Sequence, residues 1–164
     1  MAEIPRIESA SIAGTVLTVV WRDGGSDTVD LAGWLARPGP PECDILKDPA
    51  VLARPRVAGY GTVVAWDDEG DVGIDNIHIR LLADEQKPFG AQDLATWQER
   101  LGLSNQEAAD ILDVALSTFH TYKNGTARIP SAVQIACRAI ERDPLLFEAH
   151  YRPRRPPGRP PKAA

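Results

Sequence analysis

The stretch LSNQEAADILDVALSTFHTYKNG, residues 103–125, decides how the second half of the chain folds. At 100° per residue, Phe119 and Tyr122 lie on one side of a helix that begins near residue 116. The opposite side carries short polar side chains and one histidine: Ser117, His120, Thr121 and Asn124. A helix of this kind can pack its aromatic side on a neighbour and present its polar side to base edges in a major groove.

The residues before this helix predict a second helix and a tight turn. Ser104 is of a type that caps helix N-termini, and the small side chains of Ala108 and Ala109 permit two helices to approach closely. Asp113 follows at the turn, where aspartate tolerates a left-handed conformation better than most residues, and Val114 fills the turn. The pattern predicts a helix-turn-helix.

The motifs LSNQEAADILDV, STFHTYKNG and ARIP resemble the lambda-repressor-like, Xre/Cro type of helix-turn-helix over residues 90–150. Proteins of this type usually read paired half-sites as dimers, and the resemblance implies three groups of DNA contacts. Phosphates would be held by Asn105 and Gln106, bases would be faced by Ser117, Thr118 and Thr121, and the DNA backbone would be gripped by Lys123, Asn124 and Arg128. His120 joins the base-facing group because it shares the polar side of the helix.

Three positions depart from the pattern of that family. Ala115 stands where a hydroxyl cap is usual, which forfeits about 1 kcal/mol of helix stabilisation unless another group substitutes. Asp113 replaces the glycine that is common in the turn, and Leu116 occupies a position that is often polar in DNA-reading members. The alternative is therefore a helical bundle that binds protein, with Ser117 and Thr121 simply solvated.

Charge is distributed unevenly along the chain, whose formal net charge is -5. Residues 1–88 hold 8 lysines and arginines against 15 acidic residues, residues 89–150 hold 5 against 8, and residues 151–164 hold 5 against none. The net charges are therefore -7, -3 and +5. The acidic balance of residues 89–150 favours protein binding. Lys123 and Arg128 favour DNA binding, because they flank the polar side of the helix and local charge dominates within a Debye length of about 8 to 10 Å.

The basic segment 151–164 is predicted to be an extended, solvated arm, because its prolines prevent regular structure. Within it, RPPGRPPK resembles an AT-hook, which lies in the narrow minor groove of A·T-rich DNA, although Pro157 stands where such hooks usually have arginine. That resemblance implies DNA contacts for Arg154, Arg155 and Arg159. The alternative is a proline-rich tail that only keeps the protein in solution.

The first half of the chain predicts strands. Runs rich in β-branched residues in RIESASIAG, TVLTVVWRDGG and SDTVDL are separated by glycine-containing turns, which favours three antiparallel strands. A short helix or a pair of turns is expected in CDILKDPAVLARP, with Asp48 and Pro49 at a helix start. Further strands are expected in RVAGYGTVVAW and in DVGIDNIHIRLL, where Ile77, Ile79 and Leu81 alternate with polar residues. These patterns predict an α+β domain with a mostly antiparallel sheet and a short helix.

The segment ADEQKPFG marks a change from period 2 to period 3.6 and divides the chain. The predicted organisation is an α+β domain at 1–83, a linker at 84–89, an all-α lambda-repressor-like bundle at 90–150 and a disordered basic tail at 151–164. The first part, through VDLAGWL, DILKDPAVLARPRV and GTVVAWDDEGDVGID, resembles a small bacterial domain of unknown function that occurs alone or joined to a helix-turn-helix. The resemblance supplies no activity, and it implies either ligand or partner binding or a structural role that fixes dimer geometry.

Four or five short helices are expected within 90–150. Leu94, Trp97 and Leu101 repeat at helical spacing, and Gly102 ends that helix. Pro130 suits the first turn of a fourth helix, and Asp143-Pro144 suits the cap and first position of a last one.

Few residues indicate catalysis. The three histidines are isolated and no pair of nucleophile and base is evident, so neither an enzyme activity nor a cofactor is expected. Cys43 and Cys137 lack metal-type spacing and are expected to be reduced. The segment DDEGD lacks the alternating ligands and terminal glutamate of a calcium loop, so no metal site is expected. No apolar run reaches the roughly 18 to 20 residues of a membrane span, and no signal peptide is evident.

The sequence therefore predicts a cytoplasmic, homodimeric regulator of transcription that binds double-stranded DNA. It would read a major groove with residues 116–124, assisted by the basic tail. The alternative is a protein-interaction or antitoxin-like partner module without sequence-specific DNA binding. A protein partner would bind through residues 1–83.

Overall fold

The computed structural model describes residues 4–154. The chain divides into two compact units, Met1–Lys87 and Pro88–Ala164. Among the described residues, both β-sheets belong to the first unit and the second unit has only helices as regular elements. The predicted α+β class is confirmed.

A three-stranded antiparallel sheet opens the first unit, as predicted. Gly14 has a φ of 60°, which permits the two-residue turn between the first two strands. On the second strand Leu17, Val19 and Trp21 are fully buried, so one face of this sheet forms the core. The strands are β1 (Ile7–Ala13), β2 (Val16–Trp21) and β3 (Ser26–Asp30), in the order β1-β2-β3.

Short helices connect this sheet to a second one. Asp48 accepts a hydrogen bond from the backbone N–H of Ala50 at 2.8 Å, and Pro49 is the first helical residue, as predicted. The indole of Trp66 donates to the carbonyl of Leu52 at 2.8 Å and so ties this helical segment to the second sheet. The elements are α1 (Ala32–Leu35), a 3₁₀ helix (Pro41–Lys47), α2 (Pro49–Leu52), and the antiparallel strands β4 (Arg56–Ala58), β5 (Val63–Ala65) and β6 (Gly73–Asp75).

The strand predicted through Ile77, Ile79 and Leu81 is wrong, because these residues belong to helix α3 (Asn76–Gln86). Asp75 caps the helix by accepting from the backbone N–H of His78 at 2.8 Å. Ile79 and Ala83, one turn apart, are buried, whereas Ile77 and Leu81 are about half exposed. Three alternating apolar residues are compatible with a strand of period 2 and also with a helix of period 3.6. The capping hydrogen bond of Asp75 favours the helix here.

The last residue of α3 closes the outer edge of β3. The side-chain amide of Gln86 donates to the carbonyl of Asp30 and accepts from its N–H, both at 2.8 Å. It therefore takes the place of one residue of a neighbouring strand. The helix reaches into the expected linker 84–89 and ends before Lys87, whose extended backbone is the conformation favoured before proline.

The turn between β4 and β5 has an unusual backbone. Gly59, Tyr60 and Gly61 have φ values of 56°, 56° and 90°. A side chain at position 61 would lie 2.6 Å from the carbonyl oxygen of Ile7, so only glycine fits there. Tyr60 has no such freedom, and a left-handed conformation costs a residue with a side chain about 1–2 kcal/mol.

The described part of the second unit, up to residue 154, has five helices, which agrees with the predicted four or five. Asp143 accepts from the N–H of Leu145 at 3.0 Å and Pro144 starts the last helix, as expected. Pro130 lies one residue before its helix and is its N-cap. The helices are α4 (Ala91–Arg100), α5 (Asn105–Ile111), α6 (Leu116–Lys123), α7 (Ser131–Arg142) and α8 (Pro144–His150).

Candidate nucleic-acid interface

Helices α5 and α6 are joined by the tight turn that the sequence predicts. Ser104 and Glu107 form a capping box at the start of α5. Asp113 has a φ of 53°, the left-handed conformation expected of it. The N–H of Val114 then donates to the carbonyl of Ala109 at 3.0 Å, which fixes the direction in which the chain enters α6.

Helix α6 has one buried and one exposed side. Phe119 is fully buried and Tyr122 nearly so, and both belong to the core of the helical unit. The exposed positions include the four polar residues of the predicted interface: Ser117, His120, Thr121 and Asn124. Thr118, a predicted base contact, is half-buried, and its carbonyl accepts from the hydroxyl of Thr121 at 2.7 Å.

The start of α6 has no side-chain cap. Ala115 has the extended backbone of an N-cap residue, with φ -63° and ψ 146°, but it has no side-chain acceptor. Among the described residues no other side chain hydrogen-bonds the first N–H groups of α6. The hydroxyl cap that Ala115 lacks is therefore not replaced by another side chain of the described residues.

Two predicted phosphate contacts form hydrogen bonds inside the protein. The ammonium of Lys123 donates to Gln98 Oε1 at 2.8 Å and to Asn105 Oδ1 at 3.0 Å. Gln98 is 7% exposed and donates to Asn105 Oδ1 at 3.0 Å and to the carbonyl of Leu103 at 2.9 Å. This network joins α4, the start of α5 and α6, so Lys123 holds the motif together with two of its three donors.

The beginning of the basic tail lies against α5. The hydroxyl of Tyr151 donates to Glu107 Oε1 at 2.8 Å. Arg154 donates from Nε to Asp110 Oδ2 at 2.8 Å and from Nη2 to Asp110 Oδ1 at 3.2 Å, a two-point contact. We call these four residues the C-terminal latch. The solvated arm was expected to begin at residue 151, but residues 151–154 are held by the latch.

The latch adjoins another predicted phosphate contact. Gln106 donates from Nε2 to Asp110 Oδ1 at 2.9 Å, so its amide shares an acceptor with Arg154. Phe147 of α8 stacks on Tyr151 with ring centroids 4.8 Å apart, which fixes the tyrosine from the other side. The latch therefore connects the residues that follow α8 to both ends of α5.

These contacts shift the pKa values of the groups involved. The hydroxyl and N–H of Ser104, and then the hydroxyl of Tyr151, lower the pKa of Glu107 to about 2. The hydrogen bond from Arg154 is the main cause of a lowered pKa at Asp110. The same contacts raise the pKa of Tyr151 and of Arg154. Both carboxylates are thus stabilised in their charged form.

Apart from the half-buried Thr118, the predicted site residues that the structure describes fall into two groups. The α6 residues Ser117, His120 and Thr121 share one exposed face with Asn124, the residue that ends the helix, and Arg128 is exposed in the loop that follows. Asn105, Gln106, Lys123 and Arg154 each bond to other side chains of the protein. Arg155 and Arg159, with the AT-hook-like segment, lie outside the described residues.

Sequence reasoning did not identify Gln98, Glu107, Asp110 or Tyr151 as important. For Gln98 a signal was present, because it follows Trp97 inside the apolar stripe of α4 and a polar residue there requires partners. No local signal marks the latch, since its hydrogen bonds join residues 44 positions apart.

Within residues 4–154 no three metal-binding side chains come together. No helix of that range is long and apolar enough to cross a membrane.

Comparison with known proteins finds a similar solved structure. No family model matches the chain, and no curated protein sequence is significantly similar. The solved structure is a "putative DNA binding protein" from Nitrosomonas europaea, with 25% sequence identity and a TM-score of 0.46, covering 96% of this chain and 100% of the other. A TM-score of 0.46 does not establish that the two chains share a fold. The chain is therefore similar to that protein, and the similarity does not place it in a family.

Proposed function

We propose that the second unit binds double-stranded DNA through the exposed side of α6, as a lambda-repressor-like helix-turn-helix regulator of transcription. The observation that carries the proposal is the two-sided character of α6. Its aromatic residues are buried, its short polar residues are exposed on one face, and the left-handed turn at Asp113 joins it to α5. Short hydroxyl and amide side chains suit base edges because they approach the groove floor closely.

The attraction to DNA comes mainly from outside α6. Arg128 and Arg152 are exposed cations, and Arg155, Arg159 and Lys162 follow in the tail. The latch pairs Arg154 with Asp110 and so offsets one of the negative charges of α5. Cations supply most of the sequence-independent affinity, and the α6 face supplies discrimination between sequences.

Dimerisation and location complete the proposal. A single recognition helix contacts few base pairs, so we infer that two copies bind paired half-sites in the cytoplasm. Sedimentation of the protein with and without duplex DNA tests the dimer. A strictly one-to-one complex would contradict it.

A second candidate function is protein binding by the helical unit without DNA reading. Its support is electrostatic, because residues 89–150 have a net charge of -3 and Lys123 is occupied by Gln98 and Asn105. Neither candidate function includes a catalytic step or a cofactor.

A duplex-binding titration at several salt concentrations separates the two candidates. Ser117→Glu together with Thr121→Glu places two negative charges on the exposed face of α6 and should abolish binding at about 50 mM salt. The control is Ile135→Glu together with Leu145→Glu, which changes two exposed residues outside α6 by the same charge. Equal effects of the two double variants, or no binding by the unaltered protein, would contradict groove reading by α6.

A further inference from the structure

The first unit has an exposed apolar surface whose residues lie outside its hydrophobic core. The side chains of Ile4, Tyr60, Ile77 and Leu81 are 56%, 89%, 47% and 50% exposed, and they line one open groove of about 890 Å³. We call these four residues the Tyr60 patch. Ile77 and Leu81 are one turn apart on α3, on the side opposite to its buried residues.

Tyr60 is the residue of the patch that is hardest to explain by stability. Its backbone is left-handed, which disfavours any residue with a side chain, and glycine would adopt it without strain. Its ring is almost wholly exposed, so burial does not offset that strain. Strained, exposed residues are typical of binding sites, where the strain serves function.

The backbone of this turn is held rigidly. Ile7 donates from its N–H to the carbonyl of Gly61 at 2.8 Å, and Arg6 donates from Nη1 to the carbonyl of Tyr60 at 3.3 Å. The hydroxyl of Thr62 donates to the carbonyl of Gly59 at 2.7 Å. The backbone that carries the ring is therefore already ordered, which reduces the conformational entropy that binding would cost.

The rim of the groove is cationic although the unit as a whole is acidic. Arg6 and Arg22 line the groove and both are at least partly exposed, whereas residues 1–88 have a net charge of -7. No described side chain pairs with the guanidinium of Arg22. A third arginine, Arg80, is stacked 4.6 Å from the ring centroid of Trp21 and bonded to Asp27, so it shapes the wall. It also pairs at 3.8 Å with Asp23, which lines the groove too, so three arginines stand against one aspartate there.

We propose that the Tyr60 patch binds a segment of another protein that combines large apolar side chains with carboxylates. The apolar residues would cover Ile77, Leu81 and the ring of Tyr60, and the carboxylates would pair with Arg6 and Arg22. Tyrosine and arginine are enriched at the energetic centres of protein interfaces. A nucleic acid has no aliphatic surface to cover the patch.

A displayed library of random peptides, selected on the full-length protein, tests the proposal. We expect enrichment of peptides with aspartate or glutamate beside aromatic or aliphatic residues. A synthetic peptide of the enriched sequence should bind at least about 10-fold more weakly to Tyr60→Gly and to Arg22→Glu, since one lost contact of about 1.4 kcal/mol is tenfold. Absence of enrichment would overturn the proposal.

Tyr60→Gly separates binding from folding. It removes the ring but suits the left-handed backbone, so its melting temperature should equal or exceed that of the unaltered protein. Leu81→Ser gives an independent loss of apolar surface on α3. The control, Ile45→Ser, removes an equally aliphatic side chain, 39% exposed, from the 3₁₀ helix outside the groove, and should bind the peptide normally.

Other occupants give different results. Self-association of the protein that Tyr60→Gly abolishes would show a second copy on the patch and overturn the proposal. Loss of duplex DNA binding in Tyr60→Gly and Leu81→Ser would show a nucleic-acid surface and overturn it as well. Unchanged DNA binding in these variants, together with loss of peptide binding, would support it whether or not α6 reads DNA.

Discussion

Lys123 shows how a residue that the sequence predicts to contact DNA can have an internal role. The resemblance implies that it grips DNA, but its ammonium bonds to Gln98 and Asn105. Gln98 is buried and needs an acceptor partner for its amide and a donor for its carbonyl oxygen. The lysine therefore stabilises the packing of α6 on α4 before any DNA is present.

Replacing Lys123 with methionine tests this role. We expect Lys123→Met to lower the free energy of unfolding of the helical unit by about 1–3 kcal/mol, because Gln98 Oε1 is left buried without a donor. Urea unfolding followed by circular dichroism measures the change.

Lys47→Met is the control for that measurement. Its ammonium makes an exposed ion pair with Asp44, and such pairs contribute only about 0–1 kcal/mol. A loss for Lys123→Met no larger than that for Lys47→Met would show that the network adds little.

At the level of elements, α5 carries both the capping box and the latch, and Glu107 takes part in each. Its pKa is about 2 in the folded protein against 4.5 ordinarily. A lowered carboxyl pKa stabilises the folded state fully above the unfolded pKa, and this contribution is lost as the pH falls through the folded value. The window therefore lies between pH 4.5 and about 2.

Within that window, the free energy of unfolding should fall more steeply with decreasing pH for the unaltered protein than for Glu107→Gln. Urea unfolding at several pH values, followed by circular dichroism, measures both slopes. Glu148→Gln, an exposed substitution on α8, is the control and should keep the slope of the unaltered protein. Identical slopes for all three proteins would contradict a special contribution from Glu107.

The latch makes a separate prediction about proteolysis. Trypsin must take the Arg154 side chain into its own pocket to cut the bond between Arg154 and Arg155, and Asp110 holds that side chain. We expect Asp110→Asn to be cut at this bond several-fold faster, as measured by mass spectrometry of timed digests. Asp113→Asn removes the same charge without touching the latch, and equal rates in the two variants would mean that Arg154 is not held.

The elements differ in how well local sequence predicts them. Ser104 and the pair Asp143-Pro144 mark helix starts because capping is a local hydrogen bond between near neighbours. Helix α3 was missed because three alternating apolar residues satisfy a strand as well as a helix with two exposed positions. The latch was missed for another reason: its partners are far apart in sequence, and only the packing of α8 brings them together.

For the whole molecule, the distribution of charge matters more than its sum. The net charge of -5 belongs mostly to the first unit, while the cations after residue 154 are Arg155, Arg159 and Lys162. An acidic protein can bind DNA when its few cations are concentrated beside the interface, because screening confines each charge to a Debye length of about 8 to 10 Å.

Deleting residues 155–164 should therefore reduce the salt dependence of DNA binding. Each phosphate contact contributes about 0.9 to the slope of log affinity against log salt, so three lost cations should lower the slope by up to about 2.7. Fluorescence anisotropy with a labelled duplex measures the slope. An unchanged slope would mean that the tail does not touch phosphates, and complete loss of sequence preference would make the tail, rather than α6, the reader.

The pairing of Gln86 with Asp30 also bears on the order in which the first unit folds. The two residues are 56 positions apart, whereas the hairpins of the first sheet join near neighbours. Closing the longer loop costs more conformational entropy, so we expect this contact to form after the hairpins. A contact made after the rate-limiting step slows unfolding without speeding folding. The amide at position 86 would then lengthen the time for which the first unit stays folded, with little effect on how quickly it folds.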